Sequence, residues 1–299
     1  MQKFPSCPKF PIDMADIPEI TIDTLLEQYD VLLFDAYGVL VHSSGALPGA
    51  IKLIQRLNRM RKSYYILTND ASRLPETAFQ QYRSYGLDIT PERIITSGSL
   101  LKPYFVGHQL IGLRCVVLGP ADSLRYVEHA GGRVVSPGWA FDVLVIADEA
   151  GFPFLETIDR MFTSLCRAID ARRKIHLILP NPDLIYPKGD RAFGFAAGSI
   201  AGMFEAALCL RYPHRDDLRF ARLGKPEKGI FTEALSRSGT RNMVMIGDQL
   251  ETDIKGARTF GIDAVWVEAG VTAKVLAALP VDLQPTYRLG TFAGNVFQQ

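Results

Sequence analysis

The chain has few cysteines, and they do not form a pattern typical of a metal site or a disulfide framework. Its 299 residues include four scattered cysteines, Cys7, Cys115, Cys166 and Cys209, and no CxxC pair. Zinc modules and small secreted scaffolds bring their cysteines together in closely spaced pairs. We therefore expect reduced thiols and a cytoplasmic protein.

The sequence also lacks an excess of either charge and any long apolar run. Its 33 basic and 32 acidic residues leave a net charge of +1, too small to attract nucleic acid or an anionic membrane. No run approaches the ~18 apolar residues of a membrane span. Prolines and charges occupy residues 1–13 in place of the apolar core of a signal peptide. We expect a soluble protein with neither nucleic acid nor a membrane as partner.

Apolar strand-like runs alternate with helical patterns along the chain. Helices are predicted at about 49–61 and 75–85, with Gly86 ending the second one. Strands are predicted at 31–35, 63–67, 114–118, 143–147, 175–179, 243–246 and 264–267. Such alternation indicates an α/β fold with parallel sheets covered on both faces. The length allows two domains, and the proline- and glycine-containing segment from Pro180 to Gly194 is interpreted as their connection.

One carboxylate stands directly after the first predicted strand. The run from Val31 to Phe34 is apolar, Asp35 follows it, and Gly38 marks a turn. Open α/β sheets build their sites at the carboxyl ends of strands, where a carboxylate nucleophile can be held rigidly. A lone aspartate at this place is also common as a turn or capping residue.

Three further groups change the interpretation of Asp35. They are Thr68-Asn69 after the second strand, Lys225 in a Gly-Lys-Pro segment, and the acidic loop that contains Asp248 and Asp253. Each of them alone has an ordinary structural explanation. A carboxylate that attacks a phosphoryl group, however, needs a divalent cation and positive groups to reduce the repulsion between the oxygens.

The residue types in these groups suit that requirement. Asp35, Asp248, Asp253 and the carbonyl of Tyr37 are the hard oxygen ligands that Mg²⁺ prefers. Thr68 and Asn69 can donate hydrogen bonds to phosphoryl oxygens, and Lys225 can neutralise charge beside Asp35. The sequence therefore predicts a magnesium and phosphate site.

The ordered motifs resemble the haloacid dehalogenase-like superfamily. These motifs are Asp35–Leu40, Leu67–Asn69, Gly224–Pro226 and Gly247-Asp248 with Asp253. The Gly-Val-Leu after the nucleophile, Asn181-Pro182-Asp183 and Gly247–Ile254 are similar to subfamily IIA, the branch of the NagD-type and pyridoxal-phosphate phosphatases. The resemblance runs from Tyr29 to about Gly270.

The resemblance implies a fold, an activity and an assembly. The fold is a doubly wound Rossmann-like core of residues 1–106 and 185–299, with an α/β cap of residues 107–184 that closes over the site. The activity is Mg²⁺-dependent removal of phosphate from a small phosphorylated metabolite, such as a sugar phosphate or a nucleotide. Dimers formed through the cap are familiar in the branch, so a homodimer is the implied assembly.

The same resemblance assigns roles to single residues. Asp35 forms an aspartyl-phosphate, Thr68 binds the transferring phosphoryl group with Asn69 nearby, and Lys225 stabilises charge. Asp248 and Asp253 hold Mg²⁺ directly or through water. Gly38 belongs to the substrate-binding turn, and Asn181 and Asp183 lie near the substrate entrance, where forming a turn is their alternative role.

Tyr37 departs from the family pattern. Most phosphatases of the superfamily have an aspartate here, which protonates the leaving group and then activates water. Tyrosine has a pKa near ~10 and cannot replace it directly, and losing a general acid or base costs about 10²–10⁴-fold in rate. The sequence therefore predicts a phosphatase of low efficiency.

Two alternatives follow from Tyr37. The Asp35-Ala36-Tyr37-Gly38 run resembles the L-2-haloacid dehalogenases of the same superfamily, which need neither a leaving-group acid nor a metal. Those enzymes lack the Gly-Asp metal carboxylate, which is present here as Asp248. The other alternative is a protein that binds a phosphorylated ligand and has lost turnover.

Overall fold

The strands of the protein belong to two parallel sheets and three short antiparallel pairs. The computed structural model describes residues 12–13, 17–189, 192–268, 278–290 and 292. The strands are β1 (Ile12–Asp13), β2 (Val31–Phe34), β3 (Val41–His42), β4 (Gly45–Ala46), β5 (Ser63–Thr68), β6 (Ile94–Thr96), β7 (Arg114–Leu118), β8 (Arg133–Val134), β9 (Val143–Ile146), β10 (His176–Leu179), β11 (Ile185–Gly189), β12 (Ala192–Phe195), β13 (Ala221–Arg222), β14 (Met243–Gly247), β15 (Asp263–Val267), β16 (Ala278–Leu279) and β17 (Tyr287–Leu289).

Helices connect most of the parallel strands. They are α1 (Ile22–Gln28), α2 (Ala50–Arg59), α3 (Pro75–Ser84), α4 (Leu101–Gly107), α5 (Ala121–His129), α6 (Phe154–Asp170), α7 (Ala197–Arg211), α8 (Lys228–Ser238) and α9 (Lys255–Phe260). Local signals explain several of the ends. Thr21 caps α1 by accepting a hydrogen bond from the amide of Thr24, and Pro75 occupies the first turn of α3, where no amide donor is needed.

The larger sheet has six parallel strands in the order β17-β15-β14-β2-β5-β6. The chain runs outward from β2 to β6 and later returns to β14 on the other side of β2. The sheet therefore reverses its strand order between β2 and β14, which is where doubly wound folds bind ligands. The predicted doubly wound parallel sheet is confirmed.

Both faces of this sheet are covered. Leu32 and Phe34 of β2 are fully buried on the face that packs against α1, α2 and α3. Val31 and Leu33 are buried on the other face, where α4, α8 and α9 contribute to the core. This alternation holds β2 rigidly, because slipping by one residue would exchange the two buried sets.

The smaller sheet has five parallel strands in the order β13-β10-β9-β7-β8. One of its faces is buried by α6 and α7, through residues such as Met161 and Phe204. The expected limits of the cap, 107–184, are too narrow for these elements. Helix α7 packs on this sheet, and β13 pairs with β10 although about forty residues separate them, so the sheet continues to Arg222.

The segment expected to be a simple connection is also partly regular. After Pro180-Asn181-Pro182, β11 and β12 form an antiparallel hairpin. The expectation for residues 1–13 falls almost entirely outside the described residues, which begin with the β1 pair at Ile12. Among the described residues, none of the helices is long and apolar enough to cross a membrane.

Candidate active site

Three neighbouring strands of the larger sheet bring the predicted residues to one edge. Asp35 follows β2, Thr68 ends β5, and Asp248 follows β14. Since β14, β2 and β5 are parallel and adjacent, their carboxyl ends lie side by side. All three side chains are buried.

Lys225 links the nucleophile candidate to the acidic loop. Its Nζ atom lies 2.6 Å from Oδ1 of Asp35 and 2.7 Å from Oδ1 of Asp253, and it donates to the carbonyl of Leu67 at 2.8 Å. Only 2% of the Lys225 side chain is exposed. Burial lowers the pKa of this ammonium, but Asp253 and Asp35 outweigh it, so the pKa lies above its ordinary value and Lys225 is charged.

Three carboxylates are close enough to share a cation. Oxygens of Asp35, Asp248 and Asp253 all lie within 4.8 Å of one another. Burial raises the pKa of Asp35 to about 7, although Lys225 acts against that rise. One lysine balances only one of three negative charges, and oxygen donors at this spacing fit a hard divalent cation such as Mg²⁺.

The acidic loop is itself ordered by a hydrogen bond. The amide of Gln249 donates to Oδ2 of Asp253 at 3.1 Å, while Oδ1 of Asp253 contacts Lys225. Asp253 thus has a neighbour at each oxygen. Asp253 is therefore placed to position Lys225 and to add negative charge next to Asp35 and Asp248.

The turn after Asp35 requires a glycine. Gly38 has a φ of +89°, and a Cβ atom there would overlap the carboxylate of Asp248. Its amide donates to the carbonyl of Val41 at 2.9 Å. This geometry explains how Asp248 can lie so close to the turn. The substrate-binding role of Gly38 stays a prediction.

Asn69 holds the site together. Its Oδ1 accepts from the amide of Lys225 at 2.7 Å, and its Nδ2 donates to the carbonyl of Lys225 at 3.0 Å and to Oδ1 of Asp183 at 2.8 Å. Both ends of the amide are therefore used within the protein. Asn69 thus contacts Lys225 and Asp183, and its predicted place near the transferring phosphoryl group stays a prediction.

The residues from the smaller sheet reach the same place. Asn181 accepts from the amide of Asp183 at 3.0 Å, which is the predicted turn, and Asp183 contacts Asn69. Burial raises the pKa of Asp183 to about 6, against the hydrogen bond from Asn69. Asn181 and Asp183 thus combine a turn with a position beside Asn69 and Lys225.

A cavity of about 380 Å³ opens at this edge between the two sheets. Asp35, Tyr37, Thr68, Asn69, Asn181, Asp183 and Lys225 line it. Its volume suits a small metabolite. Sequence reasoning missed other lining residues, namely Asp70, Arg73, Gln81, Asp148, Glu149, Tyr186 and Lys188.

Comparison with known proteins agrees with this geometry. Residues 32–133 match the family model of haloacid dehalogenase-like hydrolases, and residues 222–293 match a second model of the same group. A crystal structure described as a possible sugar phosphatase of the HAD superfamily, from Cytophaga hutchinsonii, is 30% identical with a TM-score of 0.77. The match covers 93% of this chain and 99% of that one. The chain belongs to the haloacid dehalogenase-like hydrolase family.

Curated members of the family align over most of this hydrolase. The dihydroxyacetone phosphatase of Corynebacterium glutamicum is 27% identical over 242 residues, which are 80% of this chain and 81% of that protein. The acid sugar phosphatase of Staphylococcus aureus is 25% identical over 249 residues, 83% of this chain and 89% of that protein. The resemblance to the family, drawn from the motifs, is confirmed, and the NagD-type branch stays a prediction.

Tyr37 is the residue for which the sequence predicts a departure from the family pattern, and it lies beside the cavity. Its side chain is partly buried against the apolar core and lies near Gln81, Arg73 and Asp70. Burial raises the pKa of Tyr37 above its ordinary value, although Arg73 acts in the other direction. The phenol therefore stays protonated at neutral pH and is a poor general base.

Proposed function

We propose that this protein removes phosphate from a small phosphorylated metabolite of the sugar phosphate class, and that Asp35 is the nucleophile. One observation carries the proposal: the buried ammonium of Lys225 lies 2.6 Å from Asp35, and oxygens of Asp248 and Asp253 lie within 4.8 Å of that carboxylate. Asp35 and Lys225 line the cavity, and Asp248 and Asp253 are buried behind them. The names of the aligned relatives, dihydroxyacetone phosphatase and acid sugar phosphatase, support the same substrate class.

The chain's own residues suggest a sequence of events. A carboxylate oxygen of Asp35 forms a bond to phosphorus as the bond from phosphorus to the leaving oxygen breaks, and that oxygen takes up a proton from solvent. Water then attacks the phosphorus of the aspartyl-phosphate, releases phosphate and restores Asp35. Lys225 reduces the charge at Asp35, and the Thr68 hydroxyl donates to a phosphoryl oxygen.

Asp35, Asp248 and Asp253, with the carbonyl of Tyr37, would hold Mg²⁺. When bound, the cation reduces the repulsion between the carboxylate and the phosphoryl oxygens. Because Asp253 already contacts Lys225 and the amide of Gln249, we assign direct contact to Asp35 and Asp248 and an indirect one to Asp253.

The same proposal includes a cap, a cytoplasmic location and a homodimer. The smaller sheet would act as a cap that closes over the cavity and limits its exposure to water. The unpaired pattern of the cysteines favours the cytoplasm. A homodimer formed through the cap is what the NagD-type branch suggests.

A substrate panel tests the proposal. Purified protein would be assayed with dihydroxyacetone phosphate, glycerol 3-phosphate and p-nitrophenyl phosphate, each with Mg²⁺ and with EDTA. We expect slow phosphate release with Mg²⁺, none with EDTA, and a loss in Asp35→Asn of at least ~10³-fold, because a nucleophile cannot be replaced by its amide. The control is Asp30→Asn, an exposed residue just before the same strand. Activity that survives in Asp35→Asn would refute the proposal.

The dehalogenase alternative rests on the Asp35-Ala36-Tyr37-Gly38 run. Halide displacement has no use for a cluster of carboxylates, whereas Asp248 and Asp253 stand beside Asp35 here. Chloride release from 2-chloropropionate in the presence of EDTA would favour that alternative over the proposed phosphatase.

A further inference from the structure

Part of the cavity wall is made by residues that the proposed chemistry does not use. The loop after β9 contributes Asp148, Glu149 and Ala150, and the hairpin strand β11 contributes Tyr186 and Lys188. These residues come from the smaller sheet and its hairpin, whereas Asp35 and Thr68 come from the larger one. They line the part of the cavity available to the remainder of a substrate whose phosphate lies at Asp35.

Two neighbouring carboxylates dominate this wall. Oδ1 of Asp148 accepts from the amide of Ala150 at 3.0 Å. The phenol of Tyr186 is near Glu149 and lowers the pKa of that carboxyl. Both residues are half-buried. Burial is the largest cause and the charge of Glu149 the second in raising the pKa of Asp148 to about 6, so Asp148 is largely ionised at pH 7.5. Burial also raises the pKa of Glu149. Each can still accept hydrogen bonds from a ligand.

The cations that line the cavity are mostly engaged with other acids. Lys225 is paired with Asp35 and Asp253, and Nη1 of Arg73 donates to Oδ2 of Asp70 at 2.9 Å. Lys188 is the cation nearest to Glu149 in this wall, and its single positive charge balances only one of the two carboxylates. The wall formed by Asp148 and Glu149 therefore presents negative charge and hydrogen-bond acceptors to a ligand.

A partly desolvated pair of carboxylates discriminates strongly by charge. A second anionic group on the substrate would be repelled there, because interactions between charges are stronger away from bulk water. Hydroxyl or ammonium groups, by contrast, would find carboxylate acceptors there, and the amide of Ala150 already orients Asp148. Unfavourable contacts with the wrong ligand are an effective source of specificity.

We propose that Asp148 and Glu149 bind the leaving group of the substrate and restrict it to groups that carry hydroxyl or ammonium donors and no negative charge. This inference rests on the proposed function and adds a specificity to it. The two carboxylates are specificity-determining residues, and they take no part in the transfer of the phosphoryl group.

A matched pair of phosphate esters tests the selection. Glycerol 3-phosphate and 3-phosphoglycerate share a three-carbon skeleton but end in a hydroxyl group and a carboxylate. With Mg²⁺, we expect kcat/KM of the wild type to favour glycerol 3-phosphate at least tenfold. Asp148→Asn/Glu149→Gln should bring the ratio close to one, chiefly by lowering KM for 3-phosphoglycerate. The control Glu156→Gln, on an exposed residue of α6, should leave the ratio unchanged.

The possible outcomes distinguish failure of the proposed phosphatase activity from failure of the proposed specificity. Absence of turnover by the wild type on every ester, p-nitrophenyl phosphate included, refutes the proposed function itself. A wild-type preference for 3-phosphoglycerate overturns the specificity alone and needs no variant. An unchanged kcat/KM ratio in the folded double variant also overturns the specificity. So does an equal loss of kcat on all three esters, because that result indicates a catalytic role for the two carboxylates. Glu149→Gln alone replaces the double variant if the latter does not fold.

Discussion

Lys225 places its ammonium 2.6 Å from Oδ1 of Asp35, and both side chains are buried. A second carboxylate, Asp253, lies 2.7 Å from the same nitrogen. A buried ion pair of this kind adds little net stability, yet removing one partner leaves the others uncompensated. The relationship therefore couples the reactivity of the site to the stability of the fold.

Replacing Lys225 tests that coupling. We expect Lys225→Met to lose at least ~10²-fold in kcat and to lower the free energy of unfolding by about 3–5 kcal/mol, because two carboxylates stay buried without their cation. Steady-state assays and urea unfolding measure the two effects. Lys255→Met, which removes an exposed pair with Glu251, is the control and should change stability by less than ~1 kcal/mol. A fully active Lys225→Met would contradict the role of this ion pair.

Gly38 tests the approach of Asp248 to the nucleophile turn. In Gly38→Ala the new methyl group overlaps the Asp248 carboxylate, so Asp248 must move. We expect the Mg²⁺ concentration for half-maximal activity to rise at least ~10-fold, since losing the position of one ligand weakens a site of few ligands. Gly45→Ala is the matched control, because Gly45 also has a positive φ, of +147°, but nothing lies within 4 Å. Equal effects in both variants would show that backbone strain alone is responsible.

Tyr37 tests the explanation for low efficiency. We expect Tyr37→Asp to raise kcat by at least ~10-fold on sugar phosphates, because a carboxyl group can protonate the leaving oxygen and then activate water. Tyr37→Phe should change kcat by less than ~3-fold, since the phenol is not used as an acid or base. Stopped assays of phosphate release compare the two. A large loss in Tyr37→Phe would instead assign a catalytic role to the hydroxyl.

Asp142 tests the pH dependence of stability in the smaller sheet. Hydrogen bonds from Arg114, and more weakly from Arg173, lower the pKa of Asp142 to about 2. This carboxylate binds fewer protons in the folded state, so its contribution is present above the unfolded pKa and is lost as pH falls from about 4 to about 2. Allowing for solvent screening, the contribution is about 1–2 kcal/mol.

The corresponding variant is Asp142→Asn. Urea unfolding should show it to be less stable than the wild type at pH 7, and the difference should shrink toward pH 3. Asp159→Asn, on the exposed side of α6, should match the wild type at both values. A deficit that is the same at pH 3 and pH 7 would mean that the amide disturbs packing and that charge is not the cause.

Much of the larger sheet and of the candidate site could be predicted from sequence. The strands around Asp35, Thr68 and Asp248 are apolar runs that end in polar residues, and parallel strands bring such ends together. The contacts of Lys225 could not be predicted from local sequence patterns. Its contact with Asp35 joins residues 190 positions apart, and it was suggested by the charge that the chemistry requires and by the family resemblance, not by any local pattern. The roles of these residues stay predictions.

Other features gave weak signals or none. Strand β13 has only two residues, too few to form an apolar pattern in the sequence. Its pairing with β10, which extends the smaller sheet, could therefore not be predicted. Asp148 follows an apolar strand, as Asp35 does, and that signal was available. What the sequence could not supply is the orientation of the smaller sheet, which turns the loop of Asp148 toward the same cavity.

Trapping the covalent intermediate is the most direct test of the account. With p-nitrophenyl phosphate and Mg²⁺ the leaving group needs little protonation, so attack of water on the intermediate limits the rate because Tyr37 cannot activate that water. The account predicts that acid quenching and mass spectrometry find one phosphoryl group on Asp35 in the wild type and none in Asp35→Asn. A phosphoryl group on another residue, or undiminished phosphate release by Asp35→Asn, would contradict it.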